Sequence, residues 1–236
     1  MFWTVTLSIL QGCGEAAKLF FLTLLFALPL GLVVAFGSMN KWAPFRFLLR
    51  GKGTPGGARR ALAAFRPISA LTNLIVWVIR GTPLILQIFA IYFILPRLLG
   101  HPFDRMASAV VAFVINYAAY FAEIFRGGLQ SIPRGQREAG KALGFSRVQI
   151  FFRILLPQLF KRSLLPVSNE VVTLVKDTAL VTCIALCDMY YYAKKATSAT
   201  GSLLPLFLAG AFYLLMNTVV EVVFDRLNKR MDYYRG

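Results

Sequence analysis

The run Leu19–Phe36 is 18 residues long and carries no charged side chain. A bilayer offers its backbone no water, so such a segment has to be a helix, in which every N–H and C=O is satisfied internally. At about 1.5 Å per residue it fills most of a hydrocarbon core about 30 Å thick. It exceeds the roughly 7–15 residues of a signal-peptide core, and no small-residue cleavage pattern follows it. The sequence therefore predicts a retained first span at about 17–38.

Four more apolar stretches follow, at about 71–96, 107–126, 167–186 and 203–225. The second contains Arg80-Gly81-Thr82-Pro83, where the glycine and the missing proline N–H predict a kink. The third repeats small residues at four-residue spacing, Ser108 with Ala112 and Ala118 with Ala122, which lets helices approach closely in lipid. The expectation is an all-α membrane protein, with five transmembrane helices in one domain covering 1–236. Charged residues make up 15% of the chain, which fits that class better than a soluble one, since soluble domains carry about 25%.

A net charge of +16 would suggest nucleic acid if the protein were soluble. Here the cations fill the gaps between apolar runs, so they read as an orientation signal, and the expected partner is the lipid bilayer and no nucleic acid. Nineteen of the 26 Lys and Arg lie in 41–66, in 126–163 and from Arg226 onward, and five lie in the alternate gaps. By the positive-inside rule the first set is cytoplasmic, which puts the N-terminus outside and the C-terminus in the cytoplasm. A single histidine, His101, and scattered carboxylates and cysteines offer no metal cluster, and no Gly-rich phosphate loop of the Walker type occurs. The chain is expected to bind no cofactor and to hydrolyse no ATP itself.

Between the third and fourth stretches lies a basic segment, 131–166. Ser131 is a candidate N-cap, a short helix is expected over Arg137–Leu143, and Gly144 stands where a left-handed residue would stop it. Ser146 followed by Gln149 reads as a capping box that opens a second helix, and Pro157 is expected to end or kink it. Glu138-Ala139-Gly140 is followed after three residues by Gly144, after nine more by Ile154, and after one more by Leu156-Pro157. This spacing resembles the EAA loop of ABC importer permeases, with Gly140 where that family has a second alanine. Arg80 to Pro83 with the L-I-L-Q-I-F-A-I-Y-F after it, Asn116 to Gln136, and Asn169 to Val181 extend the resemblance over most of the chain. They point to the polar amino-acid branch, the histidine/glutamine/arginine type. Cys187-Asp188-Met189 departs from the acidic P-E-L context of that branch.

The resemblance implies a type I ABC importer transmembrane domain in a bacterial inner membrane, acting as the non-enzymatic permease subunit of an ATP-driven amino-acid importer. It implies an ABC ATPase dimer that carries the ATP and Mg, an extracytoplasmic solute-binding protein, a second permease copy or sister permease, and a polar amino acid as substrate. It assigns coupling to the ATPase to Glu138, Ala139, Gly140, Gly144 and Pro157.

The fourth stretch is unusually polar, and ionisable groups within a bilayer face cavities or partners. Glu170, Thr173, Leu174 and Asp177 fall on one helical face. With Asn116, Lys176 and Thr178 they supply the candidate substrate path: Asp177 for an ammonium, Asn116, Thr173 and Thr178 as neutral partners, and Lys176 for a carboxylate although it points away from Asp177. The same charges also read as a network that only holds helices together, and Glu123 with Arg126 as a structural pair or gate contact. A proton-driven secondary transporter using Glu170 and Asp177 is the rival class, and it leaves the spacing in 131–166 without a role.

Overall fold

The computed structural model describes residues 2–45, 57 and 63–231. Most of the basic linker at 41–66 and the end of the basic tail fall outside these residues. Among the described residues every element is helical. Helix α1 covers Phe2–Ser38, α2 Pro67–Gly81 and α3 Leu84–Phe89, which passes through a π turn at Ala90–Ile94 into α4, Leu95–Leu99. Then come α5 (Arg105–Ser131), α6 (Arg134–Ala142) and α7 (Arg147–Ile150). A second π turn, Phe151–Leu155, leads into α8 (Leu156–Asp177), which tightens into a 3-10 segment over Thr178–Ile184. Helices α9 (Met189–Thr200) and α10 (Leu204–Arg230) complete the chain.

Helix α1 starts well before the expected first span, because Ile9 and Ala16 pack inward there. Between α2 and the Leu84–Leu99 stretch the axis turns by 106° at Thr82 and Pro83. Among the described residues three helices are long and apolar enough to cross a membrane, Trp3–Ser38, Arg105–Ser131 and Leu204–Arg230, or four if the bent pair counts as one span. Helix α8 is not among them. Lys161, Arg162, Glu170, Lys176 and Asp177 lower its hydropathy, and it leaves the α conformation at Thr178.

Helix α5 is the hub, with 61% of its apolar window buried against 33% for α1 and 6% for α10. The small residues Ser108, Ala112, Ala118 and Ala122 are all buried, and so are the large rings of Phe113, Tyr117 and Phe121. Together with Leu19 and Ala27 of α1 and Val171 and Leu174 of α8 they make the main core. Elsewhere α1 and α10 expose Phe21, Leu25, Leu214 and Val219, which lipid tails solvate as well as protein does.

A second core joins Ile9 and Ala16 of α1 to Met189 and Ala193 of α9 and Ala209 of α10. Asp188 closes it. Its carboxylate is fully buried and accepts hydrogen bonds from Thr182 Oγ1 and Tyr213 OH, both at 2.8 Å, and from the Tyr190 and Tyr191 N–H groups at 3.2 and 2.9 Å. Burial pushes this carboxyl above its ordinary range, and the four bonds pull against that shift. The departure from the P-E-L context therefore has a structural account: Asp188 caps α9 and ties it to α10.

Two expectations about 131–166 need correction. Ser131 does not cap α6; it is the last residue of α5, and its hydroxyl donates back to the Gly128 carbonyl at 2.8 Å. The start of α6 is set by Pro133, whose fixed φ and missing N–H suit a helix only at its beginning. Pro157 does not end the second helix, because the helical path runs on from Arg147 to Asp177. A proline clashes with the carbonyl four residues before it and donates nothing to it. The π turn relieves this by sending the Leu156 N–H five residues back to Phe151, and the same device precedes Pro96, where Leu95 reaches Ala90.

Candidate functional site

The first candidate region is the hairpin of α6 and α7. Helix α6 ends in a Schellman turn: the Phe145 N–H donates to the Gly140 carbonyl at 3.0 Å and the Gly144 N–H to that of Lys141 at 2.9 Å. Gly144 has φ +77°, a left-handed conformation that a β-branched residue resists. Ser146 and Gln149 then exchange both bonds of the expected capping box. The two helices touch through Gly140, where a Cβ would come within 2.9 Å of Ile154 Cδ1 and 3.0 Å of Ile150 Cγ1. Ile132, Ile150 and Leu155 are buried beneath the hairpin, and Phe151 packs edge-on against Phe36 of α1 at 5.3 Å. Arg162 closes its base by donating to the Ser131 carbonyl and hydroxyl at 3.1 and 3.2 Å.

The result is a stiff two-helix tip. Glu138 and Ala139 lie on its exposed surface while Gly140 faces inward. Leu143 and Val148 are 73% and 65% exposed at the same tip, apolar groups that the sequence reading did not single out. Pro157 lies at the start of α8, behind the hairpin.

The second region is a cavity of about 440 Å³ between α2, α3, α5 and α8, open on one side and walled by Arg80, Asn116, Tyr117, Glu170, Thr173 and Asp177 among others. The break at Gly81-Thr82-Pro83 opens it, since those three residues line it too. Gln87 holds the break in place. Its amide donates to the Ile79 carbonyl at 2.8 Å and to the Thr82 hydroxyl at 2.9 Å, while its oxygen accepts from Asn116 Nδ2 at 3.0 Å. Across the cavity, Tyr117 OH donates to Asp177 Oδ2 at 2.7 Å. Arg80 stacks over Tyr120 at 5.1 Å and approaches Glu123 Oε2 at 3.9 Å. Glu123 also accepts from Arg126, with Nε–Oε1 at 3.2 Å, so one carboxylate bridges the two arginines.

Of the residues nominated from sequence, the fold brings Asn116, Glu170, Thr173 and Asp177 to this one cavity. Lys176 and Thr178 are not among its walls. Lys176 is exposed elsewhere on α8, and Thr178 is fully buried with its hydroxyl on the Val175 carbonyl at 2.8 Å. The cation that does face the carboxylates is Arg80. Sequence reasoning missed Tyr117 and Gln87 as site residues. Tyr117 falls one position after Asn116, so a search of the whole N-Y-A-A-Y turn for hydrogen-bonding groups would have found it.

Comparison with known proteins gives a consistent picture. Residues 53–233 match the family described as "Binding-protein-dependent transport system inner membrane component". The chain is 39% identical over 171 residues to the arginine transport system permease protein ArtQ of Bacillus subtilis (strain 168), covering 72% of this chain and 78% of that one. It is 38% identical over 237 residues to the octopine transport system permease protein OccM of Rhizobium meliloti, covering 94% and 85%. Its fold is similar to that in a crystal structure of an amino acid ABC transporter with histidines, with a TM-score of 0.78 and 26% identity over 97% of this chain and 96% of that one.

Proposed function

We infer the function from membership: this chain belongs to the family of inner-membrane components of binding-protein-dependent transport systems. It is a permease subunit of an ABC importer, with the type I transmembrane fold. In our finer reading it carries a polar amino acid, with preference for a cationic one, into the cytoplasm. It works beside a second permease, receives substrate from an extracytoplasmic binding protein, and is driven by an ABC ATPase dimer that holds the ATP and Mg.

The charge balance of the central cavity carries the substrate reading. A free amino acid brings one carboxylate and one ammonium. Arg80 suits the carboxylate and Asp177 the ammonium, with Asn116 and Thr173 as neutral partners. Glu170 makes no hydrogen bond or ion pair with another described residue, which leaves one further negative charge for a cationic side chain. The relatives named for arginine and octopine transport and the amino acid transporter with histidines support that class.

Glu138, Ala139 and the exposed Leu143 form the surface offered to the ATPase, and Gly140, Gly144 and Pro157 keep it rigid. Stiffness matters because closure of the ATPase has to move the spans, and a pliant loop would absorb the motion. The cation count supports the orientation with the hairpin in the cytoplasm. A proton-driven mechanism would leave the Schellman turn, the capping box and the exposed apolar tip idle.

The test is uptake into proteoliposomes that hold the permease with its ATPase, with the binding protein outside. Labelled arginine is expected to accumulate only with ATP on the ATPase side, and unlabelled histidine and glutamine to compete less well than unlabelled arginine. Accumulation driven by a proton gradient without ATP would overturn the reading. Better competition by glutamine than by arginine would overturn the cationic preference alone.

A further inference from the structure

A larger cavity, about 1040 Å³, lies at the hairpin end of the bundle and has no place in substrate passage or ATPase seating as described above. Helix α6 turns Arg134, Arg137 and Lys141 into it, at i, i+3 and i+7, and Arg147 adds to them from α7. Lys41 and Arg66, the described residues at the two edges of the basic linker, face it from the other side. Among the described residues no Asp or Glu lines it. A seventh cation, Arg126, also lines it and is paired with Glu123; among the other six none forms an ion pair with a described carboxylate, and the linker cannot supply one because 41–66 contains no acidic residue. The floor is apolar, made by Phe36, Ile132, Ile150 and Leu155.

These six cations, gathered around one cavity, repel each other unless an anion joins them. Carboxylates of the ATPase are the less suitable source. Of the surface assigned above to the ATPase, Ala139 and Leu143 lie on the far side of α6 from Arg134, Arg137 and Lys141 at about 100° per residue, and Glu138 lies between the two sets. A partner seated on Ala139 and Leu143 leaves the opposite, cationic face of the helix uncovered. An apolar floor beneath a cationic rim at the end of the spans is instead the arrangement that receives an acyl chain and an acidic head group. Trp42, 57% exposed next to Lys41, is a residue type enriched at that depth.

We propose that this cavity binds the phosphodiester of an anionic phospholipid, with the head group among Lys41, Arg66, Arg137 and Lys141 and the acyl chains on the apolar floor. The orientation inferred above makes the cytoplasmic leaflet the source. Binding in detergent has no sides, so a failure of the proposal is separable from a failure of that orientation, which maleimide labelling of Leu143→Cys in sealed vesicles reports.

The test is native mass spectrometry of the full permease–ATPase complex with phosphatidylglycerol or phosphatidylcholine added. Phosphatidylglycerol is expected to stay bound in preference, and 10-fold excess inorganic phosphate not to displace it. Each cation near an anionic membrane surface contributes about a fivefold factor, so Lys41→Ala with Arg66→Ala should weaken retention roughly 25-fold. Lys229→Ala with Arg230→Ala removes as many cations from the α10 end, outside the cavity, and should change it less than twofold. Co-purification of the ATPase and an unchanged melting temperature show that each variant is folded. Equal retention of the two lipids overturns the proposal, as does an equal loss in both variants. Displacement by inorganic phosphate would mark a soluble-anion site instead, and binding seen only after the ATPase is stripped away would mark the cavity as part of the ATPase interface; either also overturns it.

Discussion

In the hairpin, the bonds that shape the turn join residues no more than five apart, Phe145 to Gly140, Gly144 to Lys141, and Ser146 with Gln149, while its base is tied across 31 residues by Arg162 to Ser131. In the central cavity they join Asn116 to Gln87, 29 residues away, and Tyr117 to Asp177, 60 residues away. The turn of the hairpin is thus a local unit that can keep its form whatever the register of the spans, as the connector proposed above requires. The cavity depends on the register of α3, α5 and α8, so any shift of one helix against another changes its bonds and its size. In the function proposed above a stiff connector and a deformable site are complementary requirements, and local bonds suit the one as long-range bonds suit the other.

The largest effect should follow from breaking the local unit. Gly144→Val forces a β-branched side chain into a left-handed conformation, at a cost of roughly 1–3 kcal/mol. Gly140→Leu adds a side chain where the Cβ alone already meets Ile154 and Ile150. Together they should reduce ATP-driven uptake at least 100-fold and abolish co-purification of the ATPase. Substrate binding to the detergent-solubilised permease, read by scintillation proximity, should change less than twofold. If ATPase capture survives both changes, the hairpin is not the rigid element described.

The opposite pattern is expected for Asp177→Asn. A hydrogen bond to a charged group contributes about 1.5–3 kcal/mol, so uptake at limiting substrate should fall about 10- to 100-fold while ATPase capture is unchanged. Full uptake at limiting and saturating substrate would leave Asp177 a purely structural partner of Tyr117.

The same division decides what could be read from the sequence. Gly144 and the Ser146–Gln149 box were legible because local backbone geometry depends on a few adjacent residues. Glu170, Thr173 and Asp177 were legible because a 3.6-residue period places them on one face whatever surrounds α8. Ser131 was misread because its hydroxyl serves equally well turned back to a helix it ends, and of the two outcomes expected at Pro157 the ending failed because a π turn lets a proline continue a helix. The pairing of Gln87 with Asn116 and of Tyr117 with Asp177 was not legible, since no local pattern fixes which helices meet or in what register. Lys176 shows the limit of proximity in sequence: one residue from Asp177 is about 100° around the helix, and Arg80, far away in the chain, faces the cavity instead.

The smallest effect tests how far the cavity acts as a connected whole. Gln87 touches the break at Thr82 and Asn116 at once, so it is a positioning residue for the cavity wall. Losing its bonds should cost about 1 kcal/mol. Gln87→Met should therefore raise the half-saturating substrate concentration about fivefold and leave the maximal ATP-driven rate within twofold. Asn116→Ala should act similarly if its part is only to hold Gln87, and the double variant should then be no worse than the more impaired single one, because both remove the same bond. Multiplicative effects would mean that Asn116 contacts substrate on its own account. A fall in maximal rate with unchanged half-saturation would mean that the break at Gly81 to Pro83 serves the motion of the spans and not the shape of the cavity.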